Sequence, residues 1–222
     1  MFFYLSRYPE CYAKLAKEIR TTFASADEIR AGPKLSGCKY LKACFDEAMR
    51  CNSPLTNIMW RSQDPADDSG EPFVVDGHEI PKGVEVGINL WALFHNEYIF
   101  PDPYTFNPER WLDKEGESEE EKADREEMRK AFVPFSAGQR VCAGKAMAWR
   151  EMNLAIAKTL WFFDFETAPG SVGEVGESFE VSFAALKHVP VFEVADAFTA
   201  EHDGPYLVFR PRTEVIGELG VE

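Results

Sequence analysis

The sequence predicts an α+β chain that forms one domain or part of one. Three observations support this fold class. Helical periodicity fills residues 7–50, an alternating β-type pattern runs through residues 73–90, and a long apolar helix at 144–163 precedes a β-rich tail. The chain has 222 residues and shows no compositional break typical of a linker. We therefore expect residues 1–222 to belong to a single unit.

Two amphipathic helices are predicted near the start of the chain. In residues 7–25, Pro9 suits a first helical turn, and Leu15, Ile19 and Phe23 recur at a spacing of four. A second helix is predicted over residues 38–50, with Leu41, Cys44, Phe45, Ala48 and Met49 on one face. Pro54 prevents that helix from continuing far.

The middle of the chain changes to strands and irregular structure. Residues 73–90 contain the turn dipeptides Asp76-Gly77 and Lys82-Gly83, and apolar residues alternate from Val84 to Leu90. The proline-rich segment 100–111 predicts an ordered meander without regular structure. Residues 144–163 predict a helix that is apolar on most sides and therefore buried. The tail, 188–212, predicts short strands around Asp203-Gly204.

Charge and hydropathy exclude some partners. The net charge is −14, and much of it lies in residues 113–130, which we expect to be a solvated, mobile, acidic insertion. Nucleic acid is not expected as a partner of so acidic a surface. No segment of the sequence is apolar enough to span a membrane, and the start does not resemble a signal peptide. As written, the chain is expected to be cytoplasmic.

One cysteine stands apart from the other four. Cysteine occurs five times and forms no CxxC pair, so neither a disulfide framework nor a zinc knuckle is indicated. Cys38, Cys44 and Cys51 are expected to be small hydrophobic residues in a helical region. Cys142 lies in the glycine-punctuated stretch "FVPFSAGQRVCAGKA", 132–146, just before the long helix. A buried core thiol and a reactive or metal-bound thiolate are both possible there.

The neighbours of Cys142 favour an anionic sulfur. The N-terminal dipole of the following helix favours thiolate, and Gly138 and Gly144 allow backbone N–H groups to approach it. Arg140 adds positive charge nearby, and Phe135 can cover the sulfur. Each feature alone is weak, but together they are typical of a shielded sulfur ligand with one open side.

These five residues spell F-x-x-G-x-R-x-C-x-G, which resembles the haem-binding loop of the cytochrome P-450 family, in particular its fungal microsomal members. The resemblance implies that Cys142 is the axial thiolate of a haem b iron, the metal ligand. It further implies that Arg140 pairs with a haem propionate, that Gly138 and Gly144 shape the loop, and that Phe135 packs against the sulfur. Arg61 matches a family position that binds the second propionate.

Two further motifs support the resemblance. Glu47 and Arg50 form an E-x-x-R pair, and residues 107–111, "NPERW", resemble the family's PERF element. By resemblance, both residues of the pair join Arg110 in a structural triad that locks the meander beneath the haem. From periodicity alone, Glu47 and Arg50 would instead be an exposed helix pair. His95 is a tempting metal ligand, but it has no partner at ligand spacing and a structural role is expected.

The resemblance also sets the expected function. It implies the C-terminal portion of a mainly helical cytochrome P-450 fold, with small sheets, a meander, a cysteine-ligand loop and a long following helix. The complete enzyme would insert one atom of dioxygen into a small organic substrate, using electrons from an NADPH-dependent reductase at the endoplasmic reticulum membrane. Substrate-facing positions are expected at 53–59 and 197–202.

An alternative remains open at the sequence level. The opening stretch, "FFYLSRYPE", resembles the segment that follows the family's long central helix, so the oxygen-activating residues of that helix are expected to be absent. The alternative is therefore a truncated, non-catalytic chain that at most binds haem. Peroxide-driven haem-thiolate chemistry is a weaker possibility.

Overall fold

The computed structural model describes residues 1–55, 57–182, 187–197 and 199–220. Within these ranges the chain folds as mixed α and β structure, which agrees with the predicted α+β class. The helices are α1 (Phe2–Arg7), α2 (Pro9–Thr22), α3 (Pro33–Ser36), α4 (Lys39–Cys51), α5 (Leu90–Phe94), α6 (Glu119–Ala131) and α7 (Lys145–Phe162). The strands are β1 (Phe73–Val75), β2 (His78–Ile80), β3 (Phe163–Thr167), β4 (Glu177–Ser182), β5 (Lys187–Phe192), β6 (Ala195–Ala197), β7 (Thr199–Glu201) and β8 (Leu207–Pro211).

The two helices predicted near the start are present. Helix α2 begins with Pro9 in its first turn, and Leu15 and Ile19 are fully buried. Helix α4 covers the predicted range, and its buried face includes Leu41 and Cys44. Helix α1, which the sequence did not predict as a separate helix, buries Phe3, Tyr4 and Leu5. The main core joins α1, α2 and α4 to the second half of α7.

The strands form two-stranded antiparallel sheets in the described part of the chain. The predicted Asp76-Gly77 turn joins β1 to β2, with both residues at positive φ. In the tail, β7 and β8 flank Asp203-Gly204 as predicted. Strand β8 does not pair with β7, however. Instead, β8 pairs with β3, the strand that directly follows α7, and Phe165 is opposite Phe209 in this pairing.

The alternating pattern from Val84 to Leu90 does not form the predicted strand. Only Val86 pairs, in an isolated bridge with Arg61, and Leu90 begins helix α5. The Asn89 side chain accepts a hydrogen bond from the Ala92 N–H at 3.0 Å and caps this helix. The cap accounts for the helical conformation at the end of the predicted strand.

The acidic segment contains a helix that was not predicted. Helix α6 starts with a capping box, in which the Ser118 side chain accepts from the Glu121 N–H and the Glu121 carboxylate accepts from the Ser118 N–H. Acidic residues fill its first turn, and Arg129 and Lys130 lie in its last turn. Met128 is buried in a second core cluster with Trp111, whereas most of the helix is exposed. The segment is solvated as expected, and its mobility stays a prediction.

Helix α7 is only partly buried, which corrects the prediction that apolar residues bury it throughout. Ile156, Ala157 and Leu160 lie in the core, but most residues from Lys145 to Ala155 are exposed or half-buried. The difference arises because the core elements of the described chain pack against the second half of the helix. The first half continues the cysteine loop.

Candidate functional site

Cys142 lies in the loop between a short 3-10 turn, Gly138–Arg140, and the N-terminus of α7. Its side chain is exposed, whereas the other four cysteines are buried. A simple core role for Cys142 therefore does not fit this structure. Burial keeps two of the others inert, because it raises the pKa of Cys51 to about 12 and that of Cys44 further still.

Backbone hydrogen bonds hold the cysteine loop in shape. The Cys142 N–H donates to the Phe135 carbonyl at 2.9 Å, which closes the loop upon itself. Gly138 has φ +69°, a left-handed conformation that favours glycine. Gly144 has an ordinary helical φ of −81°, and an added Cβ would lie 3.7 Å from the Cys142 Sγ. Backbone conformation thus calls for glycine at 138 but not at 144.

Two of the side chains predicted to surround the haem, Phe135 and Arg140, lie on the cysteine loop, and the third, Arg61, lies on another segment. Phe135 is half-buried, and its ring centroid lies 6.3 Å from that of Trp149 on α7. Arg140 is exposed, two residues before Cys142. Arg61 lies on the extended segment that bridges to Val86, and its Nη1 donates to its neighbour's carbonyl, Trp60 O, at 2.8 Å. The propionate roles of both arginines stay predictions.

Glu47 is the centre of a buried polar network. One carboxylate oxygen, Oε1, accepts from Arg50 Nη2 at 2.9 Å, from Arg110 Nε at 3.0 Å and from the Asn107 N–H at 3.0 Å. The other, Oε2, accepts from Arg50 Nε and Trp111 Nε1, each at 2.9 Å. The side chains of Glu47 and Arg50 are both fully buried, so the exposed-pair interpretation from periodicity is wrong.

The electrostatics of this network favour its charged form. Burial alone would raise the pKa of Glu47, but the positive charges of Arg50 and Arg110 and the hydrogen bonds outweigh it, and the pKa falls to about 2. Burial likewise opposes the charge of Arg50, yet its anionic surroundings raise the pKa of the guanidinium. The ion pairs therefore persist at neutral pH.

The two arginines join three parts of the chain through backbone carbonyls. Arg50 Nη1 donates to the Phe94 carbonyl at 2.9 Å, at the end of α5. Arg110 Nη1 donates to the Pro101 carbonyl at 2.9 Å, and its Nη2 to the Asp102 carbonyl at 3.3 Å. These contacts hold the meander, 100–111, against α4. Since main-chain carbonyls need partners when they are removed from water, the arginines stabilise a segment without regular structure.

His95 has the structural role that the sequence favoured. Its Nδ1 lies 2.8 Å from the Trp91 carbonyl, its ring stacks on Trp91 with centroids 4.4 Å apart, and Tyr104 lies 5.2 Å away. Burial lowers the pKa of His95 to about 4, so the ring is neutral at neutral pH. Among the described residues, no group of three or more His, Cys, Asp or Glu side chains is placed to hold a metal ion.

Several residues that contact the site were not predicted from the sequence. Trp111 donates to Glu47, and Cys51 receives the Arg50 Nη2 at a distance of 2.9 Å from its Sγ. Trp149 stacks near Phe45 of α4 at 4.6 Å between centroids. Trp111 could have been found as the last residue of the "PERW" motif. The helical periodicity of α4 and α7, however, does not predict that the two helices contact each other through Phe45 and Trp149.

The donor set suits a haem better than a metal ion held by protein ligands alone. A single exposed thiol at a helix N-terminus offers one sulfur, and a haem would bring the other nitrogen ligands of its iron with it. Exposed Arg140 can meet a carboxylate at the haem edge. An exposed thiol on such a loop, in a chain that also has a buried Glu–Arg–Arg network, is the arrangement expected of the haem-thiolate class of proteins.

Comparisons with known proteins agree with this class. Residues 1–188 match the family described as Cytochrome P450, and the chain belongs to that family. The chain is 36% identical over 216 residues to a cytochrome P450 monooxygenase of Gibberella zeae, covering 96% of this chain and 46% of that protein. It is 39% identical over 216 residues to the monooxygenase apf7 of Gibberella fujikuroi, covering 95% and 38%. It is 39% identical over 213 residues to fscF of Fusarium equiseti, covering 96% and 37%.

These relatives are longer than the chain. The chain spans between 35% and 57% of the length of the curated relatives that it matches. The activity of a complete relative is therefore a proposal for this chain. In the described part of the structure, no helix is long and apolar enough to cross a membrane.

Proposed function

We propose that the chain is the haem-binding, C-terminal portion of a cytochrome P-450 monooxygenase. The observation that carries this proposal is the exposure of Cys142 on a glycine-punctuated loop before α7, while the other cysteines are buried. Cys142 would bind the haem b iron, and Arg140 and Arg61 would pair with the two propionates. Phe135 would pack against the sulfur. When bound, the haem supplies dioxygen activation, by which one oxygen atom enters an organic substrate.

The chain's own residues have a supporting role in this reaction. The Glu47–Arg50–Arg110 network fixes the meander and the end of α5 against α4. The cysteine loop closes through the hydrogen bond between the Cys142 N–H and the Phe135 carbonyl. A rigid frame of this kind presents the thiolate in one orientation, because its backbone does not have to reorganise when haem binds.

Two segments proposed to face the substrate are connected to each other. Within 53–59 and 197–202, the Ala200 N–H donates to the Pro54 carbonyl at 2.7 Å. Asn52, the residue that follows α4, donates from Nδ2 to the Phe192 carbonyl at 2.5 Å, and the Phe192 ring centroid lies 5.1 Å from that of His202. Thr56 and Phe198 lie outside the described residues. We propose that both segments contact a small organic substrate.

The partner and location follow from the same proposal. An NADPH-dependent reductase would supply electrons at the cysteine face, where Arg129, Lys130, Lys145 and Arg150 are exposed. The full-length protein would then be at the endoplasmic reticulum membrane.

The proposal is tested by haem uptake. The purified chain is incubated with hemin and reduced, and its carbon monoxide difference spectrum is recorded. A red-shifted Soret band of the thiolate type is expected for the unchanged chain and for Cys11→Ala, a control that removes a buried cysteine, and its loss is expected for Cys142→Ala. Absence of haem uptake, or a thiolate band retained by Cys142→Ala, would contradict the proposal. Haem uptake without any substrate oxidation in the presence of reductase would favour the non-catalytic alternative.

A further inference from the structure

Trp149 connects the cysteine loop to the helix that carries Glu47 and Arg50. It is half-buried on α7, seven residues after Cys142 in the sequence. Its ring centroid is 4.6 Å from that of Phe45 and 6.3 Å from that of Phe135. Phe45 is buried on α4, two residues before Glu47. The indole therefore contacts both a buried residue of α4 and Phe135, a residue of the cysteine loop.

Helix α4 holds this indole at a second point. Lys42 Nζ lies 5.3 Å from the Trp149 ring centroid, within the range of a cation–π contact. Asp46 pairs with Lys42 at 2.5 Å across one turn of the same helix, which orients the ammonium group. The ring thus meets a buried aromatic residue and a paired cation, both from α4.

Phe135 links this aromatic contact to Cys142 through its own backbone. Phe135 is half-buried, and both it and Trp149 border an open groove of about 940 Å³, so solvent reaches one side of the pair. The Phe135 carbonyl accepts the hydrogen bond from the Cys142 N–H. Movement of Phe135 would therefore change the position of the thiol directly.

We propose that Trp149 is a positioning residue for Cys142. Its contacts with Phe45 and Lys42 hold the indole against α4, and the indole in turn restrains Phe135. This restraint maintains the hydrogen bond between the Phe135 carbonyl and the Cys142 N–H. The importance of this for catalysis rests on the proposed haem site. The coupling itself is a property of the polypeptide and is measurable without haem.

The test is amide hydrogen exchange at single-residue resolution in the full chain without haem. In Trp149→Ala, exchange of the Cys142 amide is expected to accelerate by about tenfold, because the loop opens locally more often. Trp149→Phe keeps an aromatic ring and is expected to stay within about twofold of the unchanged chain. Trp60→Ala, which removes an exposed indole elsewhere, serves as the matched control and is expected to leave this amide unchanged.

The outcomes separate positioning from general stability. Unchanged exchange at Cys142 in Trp149→Ala overturns the proposal. Equal acceleration at Cys142 and in α2 also overturns it, because that result reports loss of overall stability. Acceleration confined to the loop and rescued by phenylalanine supports it. Since no haem is present, failure of haem binding in the separate uptake experiment would leave this result standing.

Discussion

Glu47 and Arg110 lie 63 positions apart in sequence, and the Arg110 Nε meets the Glu47 Oε1 at 3.0 Å. Glu47 is fully buried and Arg110 nearly so. This contact joins a regular helix to a meander that has no regular structure of its own. The stability of the meander therefore depends on one carboxylate that serves two arginines.

Replacing this carboxylate is expected to be severe. Glu47→Gln leaves Arg50 and Arg110 without their counter-charge in a buried site, and removing one partner of such a pair costs about 3–5 kcal/mol. Urea-induced unfolding would measure the loss. Glu28→Gln, which removes an exposed carboxylate paired with Lys34, is the control and is expected to unfold like the unchanged chain. Equal midpoints for the two variants would contradict the prediction.

The same carboxylate predicts a pH dependence of stability. The pKa of Glu47 is about 2 in the folded chain and 4.5 ordinarily, so the folded state favours the charged form. Its contribution is complete above pH 4.5 and is lost as the pH falls from 4.5 to about 2. The free energy of unfolding of the unchanged chain should fall over this pH range. The fall should be smaller in Glu47→Gln, which has no carboxylate at this position. Identical slopes for both proteins would refute the assignment to Glu47.

Arg110→Lys is not expected to be a conservative change. A lysine ammonium cannot reproduce the planar set of donors that reaches Glu47 and the Pro101 and Asp102 carbonyls together. We expect a loss of about 1–3 kcal/mol and faster amide exchange within 100–111. Lys14→Arg, at an exposed pair with Glu109, is the matched control. Unchanged exchange in the meander of Arg110→Lys would show that a single positive charge is sufficient.

The thiols are expected to differ in reactivity. In the native chain, DTNB should modify Cys142 rapidly and the four buried cysteines only as the chain opens. The rapid phase should disappear in Cys142→Ser and persist in Cys38→Ser. A rapid phase that survives removal of Cys142 would mean that one of the buried thiols is accessible in solution.

Two glycines of the cysteine loop are expected to differ in their tolerance of alanine. Gly138→Ala places a Cβ at φ +69°, at a cost of about 1–2 kcal/mol, although nothing lies within 4 Å of that Cβ. Gly144→Ala meets only an ordinary contact at 3.7 Å and is expected to be nearly neutral. Thermal unfolding of both variants measures the difference. A larger loss for Gly144→Ala would indicate that haem-independent packing at this position is tighter than the geometry implies.

The sequence predicted those parts of the fold that local patterns determine. Apolar spacing predicted α2 and α4, and the dipeptide Asp76-Gly77 predicted the first hairpin. The pattern from Val84 to Leu90 was misleading, because it makes a single bridge at Val86 and the Asn89 cap starts a helix at Leu90. Motif resemblance named Glu47, Arg50 and Arg110 and included Trp111, but the contact of Trp149 with Phe45 depends on tertiary packing that no local spacing encodes.

The first six residues of the capped helix α6, 119–124, carry a net charge of −3, whereas the next six, 125–130, carry a net charge of +1. Within a chain of net charge −14, this difference gives the helix an electrostatic polarity along its axis. An acidic protein is therefore repelled more strongly at the N-terminal half of α6 than at the half that leads into the cysteine loop. Long-range forces would thus turn an incoming partner before contact, and the orientation would weaken as the ionic strength rises.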